Sequence, residues 1–236
     1  MIPVAVAFVL TACSNPSADN KSQASAVQNT PSATSPRNVI RKHISIPRDF
    51  SYLTNMGCVD IIYTQGNYSI DVEGDSALLE YLQTNFDSNL LTVSMLSDSN
   101  VDINRYGNTS NIKMYISCPT LQCVSICSNG GFESQATWKV ENLQLGVLGT
   151  GAMKLGHIEC TTFDLQSTER GPISIEEVKA EDATIYSRST ADIEVRVDVN
   201  NLTVINDGKQ NLHLTGKARN QYIKNPKNEG LKNEIE

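Results

Sequence analysis

Three stretches decide the fold: residues 143–160, LQLGVLGTGAMKLGHIEC; residues 163–180, FDLQSTERGPISIEEVKA; and residues 183–199, ATIYSRSTADIEVRVDV. Laid under one another they share one pattern. Each opens on an alternating apolar pair: Leu143/Leu145, Phe163/Leu165, Ala183/Ile185. A corner of small and polar residues follows, then a second pair: Met153/Leu155, Ile173/Ile175, Ile193/Val195. A third pair closes the repeat: Ile158/Cys160, Val178/Ala180, Val197/Val199. Alternation with period two marks a strand with one buried face. Three such pairs between Gly, Ser, Asn and Asp corners predict three short strands per turn.

Outward from this centre, Leu121-Gln122-Cys123 leads by 22 residues and Leu202-Thr203-Val204 follows by 19. Trp138/Val140 and Leu212/Leu214 supply further pairs. A fixed period near 20 predicts turns stacked as a solenoid, with like side chains on like inside. The expected fold is all-β: a right-handed parallel β-helix of about five coils over 119–218, its hand taken from the crossover rule. Leucine-rich repeats share the period. They require a fixed Asn or Cys after the strand and a Leu-rich convex side, which this chain lacks. In this alignment Cys123 takes the slot of Leu145, and Cys160 that of Val140 and Ala180, so both are expected in the core. Cys127 falls at a corner and Cys118 just before the first coil.

Residues 45–118 read as an N-terminal β-rich cap. Val59 to Gln65, Tyr68 to Glu73, Leu90 to Leu96 and Ile112 to Ser117 alternate as strands. Asp75 or Ser76 suits an N-cap, and Leu78, Leu79 and Leu82 give one helix running to about Asn85. Polar residues 100–111 read as a loop. Ahead of the cap, Pro3 to Ala12 is an apolar run too short to span a bilayer, ending in Leu10-Thr11-Ala12-Cys13. That motif resembles a bacterial lipobox. It predicts a signal peptide over 1–12, a lipid on Cys13, and a membrane anchored through that lipid. Behind Cys13 the chain is dominated by Ser, Asn, Ala, Gln, Thr and Pro, so 13–44 is expected to be a flexible tether. The last residues, 219–236, are Lys-, Asn- and Glu-rich and read as a disordered tail.

The 236 residues carry 19 Lys and Arg against 26 Asp and Glu, a net charge of -7. This acidity excludes nucleic acid as a partner, since phosphate contacts need a basic footprint. The histidines number three, His43, His157 and His213. Cys118, Cys123, Cys127, His157 and Cys160 do not show the tight C-x2-C spacing of a zinc knuckle, so no metal or cofactor is expected. Without Cys13 the cysteines number five, an odd count, which prevents a complete disulfide framework in one chain.

Ile62-Tyr63-Thr64-Gln65-Gly66, Val72-Glu73-Gly74-Asp75, Leu78-Leu79, Leu91-Thr92-Val93 and Met114-Tyr115-Ile116-Ser117 follow in order before the corner Gly149-Thr150-Gly151. This succession resembles the auto-transporter adhesin, head GIN domain family, common among exported proteins of Bacteroidetes, over about residues 45–217. The resemblance implies the coil and a role in adhesion, and transfers no catalytic residue. The other corners depart from the glycine pattern, as in Ser187-Arg188-Ser189-Thr190.

The expected function is a non-enzymatic, lipid-anchored protein of the cell envelope, at the outer membrane. It acts as an adhesion, binding or scaffold module for a protein or glycan ligand. The alternative is an envelope polysaccharide lyase or hydrolase, which needs grouped carboxylates on one face. Glu176, Glu177, Asp192 and Glu194 form the densest acidic group and are the candidates. Glu159, Lys179 and Asp198 are expected to stack as a solvated charge ladder. Tyr63 and Tyr186 are candidates to point outward.

Overall fold

The computed structural model describes residues 38–96, 112–209, 211–227 and 229–236. These fall in one compact unit, Arg37–Glu236. The signal peptide, Cys13, the tether up to residue 37 and the loop expected over 100–111 lie outside the described residues. In chain order the front strands are β1 (Val39–His43), β2 (Tyr52–Asn55), β3 (Asp60–Gln65), β4 (Ser69–Asp75), β5 (Leu82–Asp87), β6 (Leu90–Met95) and β7 (Lys113–Cys118). The coils follow as β8 (Cys123–Ile126), β9 (Phe132–Ser134), β10 (Trp138–Lys139), β11 (Asn142–Val147), β12 (Met153–Glu159), β13 (Thr162–Ser167), β14 (Ile173–Ser187), β15 (Ile193–Asn206), β16 (Leu212–Lys224) and β17 (Leu231–Ile235). One short helix, α1 (Ser76–Leu79), starts where Asp75 accepts a hydrogen bond from the Ala77 N–H at 3.0 Å.

The strands build a β-solenoid of about six turns with two long parallel ladders. One ladder runs β6, β2, β8, β11, β13 and then the second halves of β14, β15 and β16. The other runs β7, β3, β9, β12, the first halves of β14, β15 and β16, and β17. Register inside the column is the expected one. Leu143, Phe163, Ala183 and Leu202 lie in one row; Ile173, Ile193 and Leu212 in a second; Trp138, Ile158, Val178 and Val197 in a third. Every one of these side chains is buried. Period-two alternation places them inward together, and stacking one coil on the next keeps them dry.

The front strands cap the column as continuations of both ladders. β2 pairs with β8 and β3 with β9, while β4 and β5 turn the outer edge antiparallel. The seam is filled by aromatic rings. Tyr63 of β3 lies 4.7 Å, centroid to centroid, from Trp138 and stacks on Phe132 at 6.2 Å. Each polar tip is satisfied: the Tyr63 hydroxyl donates to the Cys118 carbonyl at 3.2 Å, and the Trp138 indole N–H to the Leu121 carbonyl at 3.1 Å.

Five expectations are corrected. The tail is not a tail: β16 continues to Lys224 and β17 pairs parallel with β16, so a further coil replaces the expected end and the count rises from five to about six. Its polar composition reflects an end coil whose faces meet water. The tether ends earlier than 44, because β1 pairs antiparallel with β4 from Val39 to His43. The helix stops at Leu79 and not Asn85. Leu82, Thr84 and Phe86 alternate as β5, where a three-residue leucine spacing had imitated a helix. Tyr63 points inward, 1% exposed. Cys123 is not in the Leu145 slot: Val124 pairs with Leu145 and Cys123 with Gln144, a step of 21. A slip of one residue turns a side chain to the opposite face. Cys160 does pack against the core, partly buried, as do Val140 and Ala180.

Two glycines are required by geometry. At the stacked corners, a Cβ on Gly151 would sit 2.0 Å from the Gly130 carbonyl oxygen. Gly216 has φ of +108°, and a Cβ there would lie 1.9 Å from the Val197 oxygen. The change of period from 20 to 19 also has a location. Ile175 pairs with Val195 but Val178 pairs with Val197, so β14 carries one extra residue, at Glu176-Glu177, as a β-bulge.

Candidate functional site

The two ladders present very different outer surfaces. From β9 onward, most outward positions of the second ladder are ionisable. One column reads Glu133, Lys154, Ser174, Glu194, His213, Lys232. A second, on the third strand of each turn, reads Lys139, Glu159, Lys179, Asp198, Lys217. The expected ladder of Glu159, Lys179 and Asp198 is present and gains a lysine at each end. Lys139 meets Glu159 at 2.7 Å, and that hydrogen bond holds the Glu159 carboxyl below its ordinary range despite slight desolvation.

The four candidate acids are not gathered into one site. Glu176 and Glu177 sit on the bulge. Glu176 faces His157 at 3.7 Å, and Glu177 faces Lys179 at 3.3 Å and Arg196 at 3.8 Å. Asp192 and Glu194 lie one coil on and share a shallow recess of about 400 Å³ with Asn211, His213 and Lys232. Asn211 donates to Asp192 at 2.8 Å, and His213 turns to Glu234 at 2.9 Å. Arg196, His213 and Lys232 were not among the candidates. Their signal was present one coil above or below each acid. Another recess, of about 310 Å³ beside Asp60, Lys113, Glu133 and Lys154, is again a mixture of both signs. Among the described residues, no group of three or more His, Cys, Asp or Glu could hold a metal ion. Glu176 and Glu177 are thus held in ion pairs on exposed strands, and such pairs contribute about 0–1 kcal/mol each.

Two columns of the outer surface of the first ladder carry little charge. One column reads Tyr52, Cys123, Gln144, Asp164, Thr184, Thr203, Tyr222; the column beside it reads Thr54, Ser125, Gly146, Gln166, Tyr186, Ile205, Lys224. Asp164 and Lys224 are the acidic and basic residues of these two columns, and Asp182 stands in the third column at the edge. Asp164 is partly buried; burial raises its pKa, and the hydrogen bond with Thr184 lowers it by less. Tyr186 is half-buried on this face, and Tyr222 is 61% exposed. Along the edge of the same face runs an amide ladder: Thr162 donates to Asn142 at 2.6 Å, Asn201 to Asp182 at 2.7 Å and Asn220 to Asn201 at 2.8 Å.

The fold is similar to solved structures of low sequence identity. A putative adhesin from Bacteroides fragilis matches with a TM-score of 0.63 at 16% identity, over 84% of this chain and 96% of that one. A putative adhesin from Parabacteroides distasonis matches with a TM-score of 0.55 at 16% identity, over 85% of this chain and 97% of that one. A structure described as a putative lipid binding protein from the same species matches with a TM-score of 0.53 at 14% identity, over 83% and 97%. A search of curated proteins found no match. The family model described as "Putative auto-transporter adhesin, head GIN domain" matches residues 49–176, from just before β2 to the bulge of β14. By that match over more than half of its length, the chain belongs to the auto-transporter adhesin, head GIN domain family.

Proposed function

We propose that this protein is a non-enzymatic binding module of the cell envelope, serving adhesion or scaffolding, and held at the outer membrane by a lipid on Cys13. The observation that carries the reading is the surface of the solenoid. Its described recesses are shallow, and Glu176, Glu177 and Asp192 each meet a base or an amide. A long column of this kind offers area and periodicity, the properties of a recognition surface. Family membership and the adhesin neighbours support adhesion. The lipobox at Leu10 to Cys13 and the composition of the tether support the anchor. No helix among the described residues is long and apolar enough to cross a membrane.

Two experiments test this reading. Mass spectrometry of the native protein is expected to find a mature N-terminus at Cys13 carrying lipid; an unmodified Met1 would remove the anchor. The purified protein is expected to turn over no polysaccharide in a broad panel, with or without calcium. Turnover abolished in a Glu176→Gln, Glu194→Gln double variant would move the protein to the lyases or hydrolases.

A further inference from the structure

We propose that the sparsely charged face of the first ladder binds a neutral glycan chain laid obliquely across the coils. The proposal rests on the binding-module reading and names the surface and the chemistry of the ligand. The first support is the contrast between the two faces. A chain of net charge -7 spends its ionisable residues on the other surfaces and leaves two columns of this one with Asp164 and Lys224 alone. A charged ligand would find almost nothing here to pair with. The second support is the kind of group displayed. Thr54, Ser125, Gln144, Gln166, Thr184 and Thr203 are donors and acceptors held on a regular sheet. Covering them with an apolar partner surface would leave hydroxyls and amides unpaired, which is costly. A polyol brings its own hydroxyls and satisfies both sides.

The third support is the rings. Tyr186 and Tyr222 stand in adjacent columns, on β14 and β16, two coils apart. Coils are spaced by about 4.8 Å, so the rings are offset by roughly 10 Å along the axis. A pyranose adds a comparable length to an extended chain for each coil passed. The columns of Tyr186 and Tyr222 are two residues apart, so the rings are also offset by about 7 Å across the sheet, and a chain that meets both crosses the coils obliquely. Tyrosine gives such contact at low entropic cost because its side chain has only two free torsions.

The test uses the purified protein on an array of neutral and charged glycans, followed by affinity titration of the neutral ones it retains. Binding is expected to be insensitive to salt between 0.05 and 0.5 M, a range in which exposed ionic contacts weaken severely (Debye lengths of roughly 14 to 4 Å). Tyr186→Ala and Tyr222→Ala are each expected to weaken binding about tenfold, and Gln166→Ala to weaken it with the melting transition unchanged. Lys154→Ala, on the charged face, is expected to leave affinity unchanged. Binding confined to anionic glycans, or lost by Lys154→Ala and kept by Tyr186→Ala, overturns the proposal. No neutral glycan retained, with a protein partner captured through other residues, also overturns it while leaving the binding-module reading standing.

Discussion

Replacing Ile193 by Ala probes the interior of the column. Ile193 is fully buried, with Ile173 on the coil before it and Leu212 on the coil after. The change removes three carbons from a site closed on both sides by β-ladders. At about 0.8 kcal/mol per buried methylene, the transfer loss alone is about 2.4 kcal/mol. The residual cavity adds to it, because hydrogen-bonded coils cannot collapse freely onto the gap, and the total falls in the range of about 2–5 kcal/mol. With an m-value of about 2–3 kcal/mol/M for urea, the midpoint should fall by roughly 1 M or more at unchanged m. Two probes make the measurement discriminating. Far-ultraviolet circular dichroism follows all the coils. Fluorescence follows Trp138, the only tryptophan, buried at the seam with the cap three coils away. The two transitions should move together if the column melts as one unit. A midpoint moved by less than about 0.2 M would refute the register, and so would a folded Ile193→Asp variant, whose charge would lie unpaired inside.

Three further outcomes are expected. Iodoacetamide at pH 8 should spare Cys118 and Cys160 in the native protein and label them in denaturant, because burial pushes the first thiol up to about 12 and the second to about 11; peptide mapping reads the result. Asp164→Asn should match or exceed the parent in stability at pH 7 and lose that advantage as pH falls. A carboxyl whose pKa is raised by folding penalises the ionised native state, and protonation relieves the penalty; denaturant midpoints at pH 4 and 7 check the sign. Gly216→Ala should cost at least about 2 kcal/mol, from a positive φ and from displacement of the Val197 carbonyl, read as lost soluble yield or a lowered melting temperature.

The coils were legible because alternation and period reinforce each other: Ile173, Ile193 and Leu212 are inward by alternation and aligned by the repeat. What escaped was whatever only one of those signals governs. At Cys123 the repeat length was 21, so aligning Cys123 with Leu145 put it one residue out and on the wrong face. In β5, the spacing of Leu78, Leu79 and Leu82 satisfied a helix, and cross-strand pairing with β6 decided otherwise. β17 was hidden because an end strand buries little: only Leu231 and Ile235 pack on the core. Tyr63 could not be placed from its own strand, since its burial depends on Phe132 and Trp138, about seventy residues on. Of the candidate acids, Glu176 and Glu177 sit on the bulge beyond Ile175, whereas Glu194 stands level with Ser174 before it, and a shift of register between β14 and β15 is invisible until the coils are stacked. The sparsely charged face was readable in principle, as the outward slots of the first apolar pair in each repeat.

The joint between cap and coils has a consequence for folding that follows from its sequence separation. Within the coils, paired strands lie about 20 residues apart in sequence, as Thr162 and Asn142 do. Across the joint, Ser128 reaches Gly57, 71 residues away. Closing the longer loop costs about 1.1 kcal/mol more in chain entropy, and the intervening front strands must be in place before β8 and β9 gain anything by docking on β2 and β3. The coils can therefore zip successively once a first one exists, each new turn templated by the last. The meeting of β2 and β3 with β8 and β9 is the expected slow event. Variants at Phe132 and Trp138 should consequently retard refolding, whereas variants at Leu212 should chiefly hasten unfolding.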